Sequence, residues 1–317
     1  MINEVRNTVL SILNKNNYGY ISPSDFNLFA AQAQMEMFEE AFSAYNKLTL
    51  GQNMKQMYEG YGDILQTYEE LLEIFNVTKP LSNYIGNVYY APSLSTTGDS
   101  SYMISRVICY PNQYTFGTNT TVVSAQLVDA GATFNTLGLV AGDLVVNVTT
   151  NQVAQVIQVV SATTIAINND IFTLVGETYA LYKASTAVEA EKITQDKLVL
   201  LNTSLLTASS VLFPTYSLQG ERITVMPPSY KLVGQVVMNY FRYPLTPKWT
   251  YINLVGGEPA FDQTQPDYQD FELPADYEYK LVTKILEYAG MSIRETEVTQ
   301  FGMVQQSHEE PTLSVQQ

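Results

Sequence analysis

The chain has 317 residues, 46% of them hydrophobic, and a formal net charge of −15. That length supports one large or two ordinary domains with real cores, so neither a metal nor a disulfide is needed to hold the fold. The single cysteine, Cys109 in RVICY, rules out an intramolecular disulfide and reads as a small core residue. With no Lys/Arg cluster, tracking of a phosphate backbone is excluded, whereas an acidic surface that DNA slides past is compatible with these charges.

The opening MINEVRNTVLSIL carries acid and base inside an amphipathic pattern, unlike a signal peptide, and no run approaches the ~18 apolar residues of a membrane span. Folding in a cytoplasm and no membrane partner are expected. Ile2, Val5, Val9 and Ile12/Leu13 mark a first helix, closed by KNNYGY. YISPSDF is a helix start: Ser22 as N-cap, Pro23 at the first helical position, Asp25 three residues after the cap, and Ile21 placed to staple against Phe26. The helix that follows alternates large residues with alanines (Phe26, Phe29, Ala30, Ala33, Met37, Ala41, Ala44, Tyr45), which lets another helix approach closely. A third helical segment spans about 52–75, weakened by Gly60 and Gly62 and stopped by NVTKP.

From Leu81 the period changes to that of strands, as in NYIGNVYYAP and SYMISRVICYP. Residues 117–182 contain no Lys or Arg and four acids, and short Val/Thr/Ile runs alternate with turn residues. This is the grammar of a small barrel or sandwich, read as an inserted all-β domain. STAVEAEKITQDKLVLLNTSLL then reads as a helix, with Val188, Ile193 and Leu200/Leu201 on one side. Strands return in SVLFPTYSLQ, ERITVMPP and KLVGQVVMNYFRYP, and residues 246–270 read as a proline-punctuated surface loop. Trp249, at its start, reads as a packing anchor.

DFELPADYEYKLVTKILEYAG has the marks of a final helix: Pro274 in the first turn, Asp276 and Glu278 complementing its positive end, and Gly290 as the stop. Tyr277, Leu281, Ile285 and Tyr288 recur at helical spacing, widened by Val282, Leu286 and Ala289. The expectation is an α+β chain in which the N- and C-terminal helices close one helical bundle around the β-strands and the inserted domain. The divisions are 1–80 (helical), 81–116 (linking strands), 117–182 (inserted β-domain), 183–300 (helix, strands and final helix) and 301–317 (polar tail).

The search for chemistry yields no catalytic, cofactor or metal residue. The sole histidine, His308, lies in the tail, and no glycine-rich nucleotide motif occurs. Asp267/Asp270/Glu272 and Asp129/Asp143 are the carboxylate groupings on offer, and they read as solvated loop acids and turn-forming aspartates. The run of Asn168 to Asp170 is too short for a calcium loop. The 23 tyrosines suit either protein contacts or ordinary packing.

Three stretches, KNNYGYISPSDFNLFAAQAQMEMFEEAF, RITVMPPSYKLVGQVVMNYFRYPLTPKW and DFELPADYEYKLVTKILEYAGMSIRE, together resemble virion structural proteins of tailed bacteriophages. The resemblance is nearest to neck or head-to-tail ring proteins of short-tailed, crAss-like phages, and residues 127–172 look like a β-module of phage structural proteins. It covers about half the chain and carries no catalytic residue across. It implies a non-enzymatic subunit of a ring, dodecameric in the family, that joins portal to tail in the virion, contacts the portal protein and other neck or tail rings, and lets DNA pass through its lumen. Assembly would take place in the host bacterial cytoplasm. The polar tail, with Met303, Val304, Pro311 and Leu313, is the expected docking segment for a neighbouring subunit. The alternative is a tail-fibre or receptor-binding accessory whose β-insert holds host glycans or other tail proteins.

Overall fold

The computed structural model describes residues 1–15, 21–53, 62–204 and 206–293. It is a mixed α+β chain with five α-helices among the described residues: α1 (Ile2–Lys15), α2 (Pro23–Asn53), α3 (Gly62–Glu73), α4 (Gln195–Asn202) and α5 (Glu278–Ile293). The chain divides into two compact units, one formed by residues 1–75 and 244–317, the other by 76–243.

In the first unit, α1 buries Ile2, Val5, Val9 and Leu13, the positions set by its helical period, while Ile12 stays partly exposed. At the start of α2 the backbone N–H of Asp25 donates to Ser22 Oγ at 3.1 Å, and the Ser22 hydroxyl donates to Asp25 Oδ2 at 2.7 Å. Asp25 thus receives from the cap's side chain, where a full capping box would have it reach the cap's backbone N–H. Ile21 and Phe26 are both buried. α2 runs to Asn53, and beyond the expected stripe it buries Phe38 and Phe42, with Phe38 edge-on to Phe75 at 5.0 Å. Each such fully buried aromatic contributes about 1.5–3 kcal/mol relative to exposure.

α5 packs against α1 and α2. Its apolar face, Leu281, Val282, Ile285, Leu286 and Ala289, is buried, and Tyr288 stacks on Phe29 with ring centroids 6.4 Å apart. Two details of this helix differ from expectation. Residues Ala275–Tyr277 form a 3-10 turn before the α-helix begins, and Gly290 does not stop it, because the helix continues to Ile293 with Gly290 buried inside it. The glycine lies inside the helix and not at a left-handed cap.

Residues 246–270 are also more ordered than a surface loop. Tyr251–Asn253 pairs antiparallel with Pro259–Phe261, and Lys248 bridges to Gln269. Trp249 anchors the hairpin: it is 2% exposed, its ring stacks near those of Tyr251 and Phe261 with centroids 5.5 and 6.0 Å away, and the Arg6 guanidinium sits 3.8 Å from the Trp249 centroid. Its indole N–H donates to Asn3 Oδ1 at 3.1 Å, and Asn27 clasps its backbone from both sides.

The second unit is built from three sheets. A four-stranded antiparallel sheet has the order Asn76–Pro80, Val236–Arg242, Ser101–Cys109, Val188–Glu189. NVTKP therefore both ends α3 and supplies an edge strand. A five-stranded sheet runs Glu191–Lys192, Thr215–Gln219, Arg222–Met226, Val88–Tyr90, Asn83–Ile85, with only the first pair parallel. Cys109, Tyr216, Ile223, Val236 and Tyr240 share a core with the buried Tyr89 and Tyr230. The expected helix over 185–206 is shortened to α4, because Val188 and Glu189 pair with Cys109 and Ile108 while Glu191 and Lys192 pair with Thr215 and Tyr216. Ladder bonds in two sheets outweigh the helical propensity of this segment.

The third sheet holds seven strands, in the order Gln113–Thr118, Thr178–Tyr182, Leu144–Asn147, Gln152–Ser161, Thr164–Ile167, Gln126–Val128, Thr121–Val123. No barrel closes among the described residues. The sheet nonetheless bends so that its two halves share one core, with Leu127, Phe134, Ile165, Phe172, Tyr179 and Leu181 together. The Tyr179 hydroxyl donates to Asp129 Oδ2 at 2.7 Å across the bend. Gly117 makes the approach possible, since a Cβ there would lie 2.8 Å from that hydroxyl oxygen. A further cluster, Tyr110, Leu144, Val146, Ala180, Tyr182 and Val237, fastens this sheet to the four-stranded one. The turn at Gly234 has φ +76°, and a Cβ there would meet Val146 Cγ1 at 2.9 Å.

Candidate functional site

Where they are described, the cysteine and most of the carboxylates singled out in the sequence make structural contacts. Cys109 is fully buried, and burial pushes its thiol up to about 12, far from a reactive thiolate. Asp129 accepts from Tyr179 and from the Gly131 N–H, and Asp143 accepts from the N–H groups of Val140 and Ala184 at 2.8 and 3.0 Å. Asp267 pairs with Lys248 at 2.5 Å, and Glu272 accepts from the Leu245 N–H at 2.6 Å. Asp270 takes the Ile2 N–H at 2.8 Å, capping α1 from the far end of the sequence. Asn168 holds the Gln155 N–H. Among the described residues no group of three or more His, Cys, Asp or Glu is placed to hold a metal ion, and no helix is long and apolar enough to cross a membrane. His308 and the tail residues Met303, Val304, Pro311 and Leu313 lie outside the described residues.

One open groove of about 420 Å³ lies where the four- and five-stranded sheets meet, lined by Ser105, Val107, Ala190 and Tyr216 and flanked by Arg106 and Glu189. The flanking pair is loose, with Arg106 Nε 3.9 Å from Glu189 Oε1 and both side chains exposed. Such a pair holds no fixed field with which to drive chemistry.

Charge and apolar exposure are the features that set the surface apart. Residues 1–75 and 244–317 carry 22 acids and 8 bases, whereas 76–243 carries 9 acids and 8 bases. Nearly all of the net charge thus belongs to the first unit. Within it, Lys284 is 8% exposed and reaches Glu40 at 2.6 Å and Glu36 at 3.1 Å, while the Tyr288 hydroxyl donates to Glu36. Burial alone would lower the Lys284 ammonium, but Glu40 and then Glu36 outweigh it and its pKa is raised. Glu287 is raised chiefly by burial and then by Glu36, so two elements of this unit crowd carboxylates around one cation.

Exposed apolar side chains occur in both units, among them Leu174 and Val175, Ile157 and Val160, and Tyr84 and Ile85 of the second. In the first unit the hairpin turn offers Ile252, Leu254 and Val255, closed by Gly257 at φ +85°. In the second unit the segment from α4 to the strand at Thr215 exposes Val199, Leu200, Leu206, Val211, Leu212 and Phe213. The first lies in the segment read from sequence as a surface loop; the second was not foreseen. Runs of Leu, Val and Phe are read as core by default, and only placement shows that Leu198 alone of the α4 residues is buried.

A scan against protein-family models matches none, and a search of curated proteins finds no relative.

Proposed function

We propose that the chain is a non-enzymatic structural subunit of a phage neck, one copy in a ring that joins portal to tail and lines part of the DNA conduit. The observation that carries this reading is the partition of the surface: an acidic helical unit and a near-neutral β unit, each with exposed apolar side chains. An acidic wall repels phosphates and favours transit over binding, and neutral apolar surface suits subunit contacts. In architectural terms, this reading makes the two ends of the chain a helical bundle and residues 117–182 an inserted all-β domain. The resemblance to neck proteins supports the same reading.

Electron microscopy of the purified full-length chain tests it. Rings with a central opening, and density for this chain at the neck of intact particles, are the expected result. A monomer at all concentrations that is also absent from particles would overturn the proposal. Density at the tips of tail fibres would favour a receptor-binding role instead.

A further inference from the structure

The hairpin of Tyr251–Asn253 and Pro259–Phe261 is fastened at its base and closed tightly at its tip. At the base the buried Trp249 stacks near Tyr251 and Phe261, and the Asp262 N–H donates to Thr250 O at 3.0 Å. At the tip the Gly257 N–H donates to Leu254 O at 2.8 Å and the Leu254 N–H donates to Glu258 O at 2.9 Å, with Gly257 at φ +85°. The turn that these bonds fix presents Val255 fully exposed, Leu254 51% exposed and Ile252 47% exposed. The other large apolar residues exposed in the described part of this unit, such as Leu28, Leu50 and Tyr279, stand singly in sequence. A turn already set in shape loses little conformational freedom on binding.

Charge selects the partner. Residues 250–278 hold seven acids and no base. Three of the seven are engaged: Asp267 by Lys248, Asp270 by the Met1 amine and the Ile2 N–H, and Glu272 by the Leu245 N–H. Glu258 at the tip and Asp262 at the base form no ion pair among the described residues. Hydrogen bonds from Thr264 and then Gln265 hold the Asp262 carboxyl below the usual carboxylate range, so it keeps its charge. An apolar tip beside unpaired carboxylates complements a surface that is apolar at its centre and basic at its edge. Nucleic acid and anionic lipid are repelled by the same acids, and this chain, at −15 with no Lys/Arg cluster, has no basic edge to offer a second copy.

We infer that the turn at Leu254 and Val255 is a docking point for a different protein, whose receiving surface is an apolar depression edged with Lys or Arg that meets Glu258. The inference goes beyond the ring reading and does not depend on it.

Fluorescence anisotropy tests it, with the full-length chain titrated into a labelled amphipathic peptide of leucine and lysine and, separately, into the matched peptide of leucine and glutamate. The lysine peptide should bind and the glutamate peptide should not. Leu254→Ser/Val255→Ser should weaken binding of the lysine peptide by about tenfold or more. Glu258→Gln should weaken it less and flatten its decline with salt. Leu212→Ser/Phe213→Ser, on an exposed apolar stretch of the other unit, should change nothing. Unchanged circular dichroism and unchanged emission from Trp249, the only tryptophan, show that each variant is folded. Lysine-peptide binding that ignores the tip variant would overturn the inference, because the peptide would then sit elsewhere on the acidic surface. Equal binding of the two peptides, or binding of neither, would overturn it as well. Self-association of the wild type that the tip variant abolishes would give the turn to a second copy and refute the assignment to a basic partner.

Discussion

The two units solve the same problem, burying apolar surface, under opposite electrostatic conditions. The second unit is continuous in sequence, nearly uncharged overall, and held by three sheets whose cores are almost wholly apolar. The first is assembled from both ends of the chain and carries nearly all of the net charge, so part of its cohesion depends on a few cations placed against many carboxylates. Tertiary packing sets the stability of one; in the other, packing is coupled to protonation and salt.

The largest expected effect is on the anchor of the acidic unit. Trp249→Ala removes a buried indole and uncovers Arg6, and should cost about 3–5 kcal/mol. Hydrogen exchange should show the loss in residues 1–53 and 244–293 with the strands of 76–243 unaffected, and uniform loss across both units would break the comparison. Next is Gly234→Ala in the β unit, where a positive φ and a Val146 contact at 2.9 Å combine; about 2–3 kcal/mol of destabilisation is expected from urea unfolding. Lys284→Met should cost about 1–2 kcal/mol at neutral pH, because Glu36 and Glu40 lose their shared partner. Since the folded pKa of Lys284 lies above 10.5, its contribution is complete below that value and is lost as pH rises through the folded pKa, so wild type and variant should converge in strongly alkaline solution. The smallest effect is a gain. Glu287 has its folded pKa raised, so the stability gained from its proton is present in acid and lost as pH rises. Glu287→Gln should raise the unfolding free energy slightly at pH 7, by about a few tenths of a kcal/mol, and not at all below about pH 4. High salt should shrink this last difference, and should change Gly234→Ala little.

How much of this was legible in sequence follows from which forces are local. The start of α2 could be read at Ser22, Pro23 and Asp25 because a cap is a contact over three residues. The buried faces of α1 and α5 could be read because a helix has a fixed period. Residues 188–192 could not, since their conformation is decided by Cys109 and Thr215, distant in sequence. Gly290 misled because a buried small residue and a helix stop look the same in one dimension. The tail named for docking lies outside the described residues, while the surface at 199–213 escaped notice because its composition is that of a core.

The acceptance of the Ile2 amide by Asp270 also dictates an order of events during translation. α1 precedes Asp270, whose carboxylate accepts its Ile2 amide, by 268 residues counted from Ile2, whereas 76–243 is continuous in sequence and can fold once its last strand is out. Nascent chains should therefore carry a finished β body while their leading helices are still waiting for partners, and chaperones that shield greasy helices would act on this stage.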